Sequence, residues 1–136
     1  MAWYAAHAVV YFQLTDGPQD EFQAYENVFL VQAPTPDEAR DKAGALARRD
    51  EGDDRGSLRL GGRPARCVFG SIRKVVAVSH ERADDQLGDG DELTYSEFVL
   101  ADRAALDKLI GAEDVEVLYV GRAAEPAPAL APDRVQ

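Results

Sequence analysis

Between Trp3 and Leu14 the chain is apolar on both sides of an extended segment, and no other feature restricts its fold as much. Side chains alternate along a strand, so Tyr4, Ala6, Ala8, Val10, Phe12 and Leu14 share one face while Trp3, Ala5, His7, Val9, Tyr11 and Gln13 share the other. Such a strand belongs in a sheet that is covered twice. Asp16-Gly17-Pro18 follows as a turn signal, because glycine tolerates positive φ and proline cannot donate to a ladder. Phe22 to Ala33 resumes as a strand centred on Val28, Phe29, Leu30 and Val31, and the pair forms a hairpin.

The hairpin runs into the sharpest local signal of the sequence. Thr35-Pro36-Asp37-Glu38 is a capping box, with threonine at the N-cap, proline at the first helical position and glutamate placed to reach back to the cap N–H. Ala39, Ala43, Leu46 and Ala47 form one apolar stripe, Arg48 and Arg49 suit the negative end of the helix dipole, and Gly52 stops the helix. Alanines on the stripe let this helix lie close to whatever it covers.

Asp53 to Pro64 is a long glycine-rich loop on this reading, and Arg66 to Ser79 a second β segment with Val68, Gly70, Ile72, Val76 and Val78 on one face. The same alternation puts Arg73 and Lys74 on opposite faces. His80 to Asp91 is a loop, with Gly88-Asp89-Gly90-Asp91 as a solvated turn, and Leu93 to Leu100 the returning strand. Asp102 caps a short helix bearing Leu106, Leu109 and Ile110, Gly111 ends it, and Val115 to Val120 is a last strand. The order ββαββα plus a last strand predicts a two-layer α+β fold, an antiparallel sheet with two helices on one face. Residues 1–121 form one domain, and residues 122–136, rich in proline and alanine, an extended tail.

A chain of 136 residues can bury enough surface to be stable without metal or disulfides. Its single cysteine, Cys67, precludes an intramolecular disulfide and a Cys-rich metal site. The N-terminal residues lack a basic stretch followed by a clean apolar run, and nothing approaches the ~18 apolar residues of a membrane span. A reducing cytoplasm is therefore the expected location. The formal charge of −10, from 15 Lys and Arg against 25 Asp and Glu, repels nucleic acid and anionic lipid. The charges are also segregated. Arg55, Arg59, Arg63, Arg66, Arg73 and Lys74 occur with no acid between them, whereas Glu81, Asp84, Asp85, Asp89, Asp91 and Glu92 face only Arg82.

Three segments carry a family likeness: the opening Trp3-Tyr4-Ala5, the strand Glu26 to Ala33 leading into Asp37-Glu38-Ala39 and Lys42-Ala43, and Asp91-Glu92-Leu93-Thr94-Tyr95-Ser96. Together they resemble a family of small bacterial domains of unknown function, DUF4288, over roughly Trp3 to Leu100. The resemblance implies a bacterial origin and a stand-alone small domain, and it transfers no catalytic residues.

No constellation of residues makes a convincing catalytic, cofactor or metal site. His7 could join Glu26, Tyr11 and Tyr95 as an acid/base set, but a general base needs a tuned pKa and an orienting partner, and a partly buried histidine at an interface is the simpler reading. His80 with Glu81, Asp84 and Asp85 lacks the alternating ligand pattern of an EF-hand. Cys67 at a strand start behaves as a small apolar residue. Gly61-Gly62-Arg63 could form an anion nest, yet no phosphate-binding fingerprint surrounds it. Arg55, Arg59, Arg63 and Arg66 are the one anion-facing patch the chain offers, and pairing with its own acids is the favoured fate of those arginines.

Two short helices cover one sheet face, which leaves the face bearing Trp3, His7, Val9 and Tyr11 in need of a cover. A homodimer through that face is the expectation, and the function expected is that of a non-catalytic protein-binding or regulatory domain, of accessory or immunity type, acting on another bacterial protein. The alternative is a small enzyme or small-molecule binder with a pocket between the sheet and the loops Arg59–Arg66 and Glu81–Glu92.

Overall fold

The computed structural model describes residues 1–49, 51, 57–78 and 86–121. In chain order the elements are β1 (Ala2–Leu14), β2 (Ala24–Ala33), α1 (Pro36–Arg49), β3 (Arg59–Leu60), β4 (Arg63–Ala77), β5 (Phe98–Val99), α2 (Arg103–Ile110) and β6 (Leu118–Tyr119). Four strands make an antiparallel sheet in the order β2-β1-β4-β3, and β5 and β6 pair separately. The α+β class with an antiparallel sheet is as expected from the sequence.

The first unit follows its local signals. In the turn between β1 and β2, the Gln19 side chain donates to Phe12 O at 2.8 Å and accepts from Leu14 N at 2.9 Å, closing the end of the hairpin. At the start of α1, Glu38 N donates to Thr35 Oγ1 at 3.1 Å, the N-cap bond the capping box requires. The helix then presses Ala39 and Ala43, both fully buried, onto Tyr4, Ala6, Val31 and Ala33, with Leu46, Ile72 and Val75 around them. Small residues on both partners bring helix and sheet close together.

The second unit is assembled differently from the sequence reading. Residues 59–64, assigned to a loop, are a tight hairpin in which Gly61 and Gly62 take φ of 60° and 81°. Two consecutive positive φ values make the mirror-image turn that matches strand twist, and only glycine adopts them at no cost. The expected returning strand, Leu93 to Leu100, does not pair with β4; only Phe98–Val99 is extended in a ladder, against β6. Instead β4 lies beside β1 along nearly its whole length. Gly88 N donates to Asp91 Oδ2 at 2.7 Å, the side-chain-closed turn expected there. Asp102 caps α2 by accepting from Ala105 N at 2.8 Å, but α2 buries none of its residues, so α1 alone supplies helical residues to the core.

Two register shifts in β4 govern the rest of the molecule. His7 faces Lys74 and Ala8 faces Ile72, so Arg73 is an extra residue; Val9 faces Ser71 and Val10 faces Phe69, so Gly70 is another. Each is a β-bulge, which resets the alternation of the strand. Ile72 and Val75, three residues apart, therefore both reach the core under α1, which an unbroken strand forbids. Val68, Ile72 and Val76 do not share a face, since their partners Tyr11, Ala8 and Ala5 alternate. At Gly70 a Cβ would lie 3.2 Å from Val9 O, so glycine is what permits the close approach there. Arg55, Arg82, the acids Glu81, Asp84 and Asp85, His80, and the tail 122–136 lie outside the described residues. No helix among the described residues is long and apolar enough to cross a membrane.

Candidate functional site

The sheet face opposite α1 carries a polar cluster centred on His7. The residue is 2% exposed and bonded at both ring nitrogens, Nδ1 to Glu26 Oε1 at 2.8 Å and Nε2 to Thr94 Oγ1 at 2.5 Å. A carboxylate can only accept, so in the neutral ring Nδ1–H donates to Glu26 and Nε2 accepts from the Thr94 hydroxyl. Glu26 comes from the neighbouring strand, two residues before Val28, the residue opposite His7, and so on the same face. Thr94 arrives from the segment after β4.

The bulge at Arg73 brings two cations to the same face. Lys74, also 2% exposed, donates from Nζ to Tyr95 O at 2.6 Å and lies 4.5 Å from the Tyr95 ring centroid. Arg73 stacks on Tyr119 at 3.6 Å, donates to Tyr119 O at 3.3 Å, and holds Nη1 3.7 Å from Glu26 Oε2. Strand alternation predicts Arg73 and Lys74 on opposite faces; the bulge overrides it. Arg73 Nη1 is buried without a hydrogen-bond partner among the described residues, and Glu26 balances its charge through space. Burial pulls the Lys74 ammonium below its ordinary value, against the pull of Glu26. Burial, followed by the adjacent Glu26 carboxylate, pushes the Tyr119 hydroxyl up.

Carboxylate, imidazole and hydroxyl in this order are the parts of an activated nucleophile. Here, however, the imidazole is sealed from solvent, and every bond to Thr94, Tyr95 and Tyr119 ties the later segment to the sheet. The cluster is the cover of the second face. Of the acid/base set considered from sequence, His7 and Glu26 bond directly and Tyr95 is joined through Lys74. Tyr11 is not part of it and packs edge-on against Phe22 at 6.1 Å. Thr94, Lys74, Arg73 and Tyr119 were missed. Thr94 and Tyr95 lie in one of the segments that carry the family likeness and Glu26 in another, but nothing in the sequence shows that these segments meet.

The same geometry changes the case for a dimer through this face. Trp3, Val9 and Tyr11 are half-buried, and at His7 the chain covers itself. Among the patch arginines, Arg63 donates from Nη2 to Asp16 Oδ1 at 2.7 Å and from Nε at 3.0 Å, an acid other than those of the Glu81–Glu92 stretch. This contact lowers the Asp16 carboxyl and raises the guanidinium. Arg59 and Arg66 are exposed.

Protonation of His7 gives a direct test of the cluster. Burial holds its imidazole below the ordinary value, Glu26 raises it part of the way, and Lys74 and Arg73 lower it further. The unfolded chain, with an ordinary imidazole, takes up a proton near pH 6.5, before the native state does. The stability His7 contributes is therefore complete above about pH 6.5 and falls on acidification, by at most about 1.4 kcal/mol per pH unit. Urea midpoints from pH 7.5 to 5.5 should fall for the natural chain and fall less for His7→Gln; parallel curves would show that His7 does not titrate as described.

The two edges of the sheet contrast with the sealed face. Beyond Arg66 the outer edge of β4 has no strand partner among the described residues, but α1 and the residues after it plug it: Glu51 Oε2 accepts from Phe69 N at 2.8 Å, and Arg40 Nη1 donates to Ile72 O at 2.6 Å. Among the described residues the edge of β2 is open over most of its length. Gln23 O is taken by Phe12 N on the β1 side and Gln32 O by Lys42 on the other, so Glu26, Val28 and Leu30 point their backbone groups outward. Tyr25, Val28 and Leu30 are 50%, 46% and 40% exposed.

Comparison with known proteins adds one match, over residues 3–94, to a family model described as a domain of unknown function (DUF4288). No curated protein and no solved structure matches the chain.

Proposed function

The chain belongs to the DUF4288 family, a domain of unknown function, and from its geometry we propose that it is a non-catalytic protein-binding module, accessory, regulatory or immunity-type in role, that works as a homodimer joined along β2. The observation that carries this is the unguarded β2 edge. Proteins blunt free edges with lysine, proline or bulges, because unpaired N–H and C=O groups recruit other strands. Here β4 has two bulges and two side-chain plugs, whereas Ala24 to Ala33 contains no proline, no lysine and one charge, Glu26, which is turned to His7. A two-fold axis through β2 would pair it with its own copy and cover Val28 and Leu30. The expected interface thus lies at the strand edge rather than on the face of Trp3, His7, Val9 and Tyr11.

Light scattering should give twice the chain mass at micromolar concentration. Val28→Lys and Leu30→Lys should each give a monomer with an unchanged circular dichroism spectrum, since the lysine stays hydrated only if the edge is free. A natural chain that is monomeric at about 100 μM would remove the proposal, because that concentration exceeds the Kd of any functional dimer stronger than about 5.5 kcal/mol.

A further inference from the structure

We infer that the cleft between α1 and the outer edge of β4 is a second binding site, one that takes an extended peptide with a single acidic side chain. The cleft holds about 510 Å³ and is lined by Arg40, Asp41, Gly44 and Arg48 of α1 and by residues 69–72 of β4. Arg40, Gly44 and Arg48 recur every four residues, so they form one stripe, and the glycine between the arginines leaves the wall open. That stripe spans about 12 Å, against about 10 Å for the facing strand residues, which is room for roughly four residues of extended chain.

What fills this edge now indicates what can replace it. Phe69 N–H is satisfied by the Glu51 carboxylate and Ile72 C=O by the Arg40 guanidinium, one acceptor and one donor. An added strand supplies the same pair from its own backbone, a C=O to Phe69 and an N–H to Ile72. Its arrival displaces both side chains. Arg40 is then without its acceptor at the Ile72 end of the cleft, and Arg48, whose guanidinium lies 5.1 Å above the Phe69 ring, stands at the end that Glu51 leaves. A carboxylate on the entering peptide pairs with Arg48 and takes the place of the Glu51 charge at that end of the cleft. Glu51 is thus an internal competitor, and the site is closed until a better ligand arrives. The site is independent of the β2 edge, on the far side of the sheet.

The test is an amide NMR titration of the full chain with acetyl-Val-Thr-Glu-Val-Thr-Val-amide, whose blocked ends restrict any carboxylate contact to its glutamate. The Phe69, Gly70 and Ser71 amides should shift, and the version with lysine in place of the glutamate should bind at least tenfold more weakly. Glu51→Ala should tighten binding about tenfold, and Arg48→Gln should weaken it by a similar factor. The lysine peptide needs no altered protein, so a variant that folds poorly leaves the comparison intact. No shift up to millimolar peptide in either the natural chain or Glu51→Ala would overturn the inference. So would equal affinity for the two peptides, or shifts confined to Val28–Leu30, which would place strand addition at β2 instead.

Discussion

Replacing Glu26 with alanine should lower the unfolding free energy by about 3 kcal/mol, the cost of removing one partner from a buried charged cluster. For a domain of this size that corresponds to a drop in Tm of roughly 10 °C. Glu26 holds Oε2 3.7 Å from Arg73 Nη1 and accepts from His7 Nδ1, so its loss leaves the buried Nη1 of Arg73 without that countercharge and a ring N–H unbonded. Unsatisfied buried groups retain their full desolvation cost, which is why the effect exceeds the worth of a surface ion pair. Glu26→Gln, which keeps an acceptor but no charge, should fall between. Adding Arg73→Met to Glu26→Ala should recover part of the loss, because it removes the stranded cation. Urea melts of the four proteins decide the matter. A cost below about 1 kcal/mol for Glu26→Ala would mean that water reaches the cluster and that it does not hold the later segment down.

Ala43→Leu should destabilise the fold by about 3 kcal/mol, at the upper end of overpacking costs. Ala43 has no exposed surface and packs among Tyr4, Ala6, Val31, Ala33 and Ala39, so the extra carbons can be housed only by lifting α1 from the sheet. The adjacent position behaves oppositely. A Cβ on Gly44 would meet only the mobile end of Arg48, at 3.4 Å, so Gly44→Ala should stabilise the helix by about 0.5–1 kcal/mol through lower chain entropy. Thermal melts of the two variants should move in opposite directions. If Ala43→Leu melts with the natural chain, the contact between α1 and the sheet is looser than described. Gly44→Ala would also narrow the α1–β4 cleft, linking a gain in stability to a loss of peptide binding.

The local chemistry of the chain determined a good deal on its own. The capping box at Thr35, the turn after β1, the Asp102 cap and the Gly88–Asp91 turn depend on residues within a few positions of one another, and each formed as its stereochemistry dictates. The alternation of β1 also held, because that strand is paired on both sides without a bulge of its own and its two apolar faces are both covered. Gly61-Gly62 carried a hairpin signal as strong as these, and it was masked only by the glycine-rich residues before it.

What tertiary structure alone decided lies in β4 and beyond it. Which strand β4 pairs with is a contest between distant segments, and β1 offers a long apolar ladder that Leu93 to Leu100 cannot match. Where β4 bulges is set by the fit of two strands, not by either sequence, and the bulge at Arg73 turns two adjacent cations to one face. The cover of that face follows from the same cause: once Arg73 and Lys74 share it, Glu26 balances their charge, and the carbonyls and rings of Tyr95 and Tyr119 and the hydroxyl of Thr94 complete their contacts and those of His7. Periodicity along one strand carries no information about the strand beside it, so these contacts could be found only in the assembled fold.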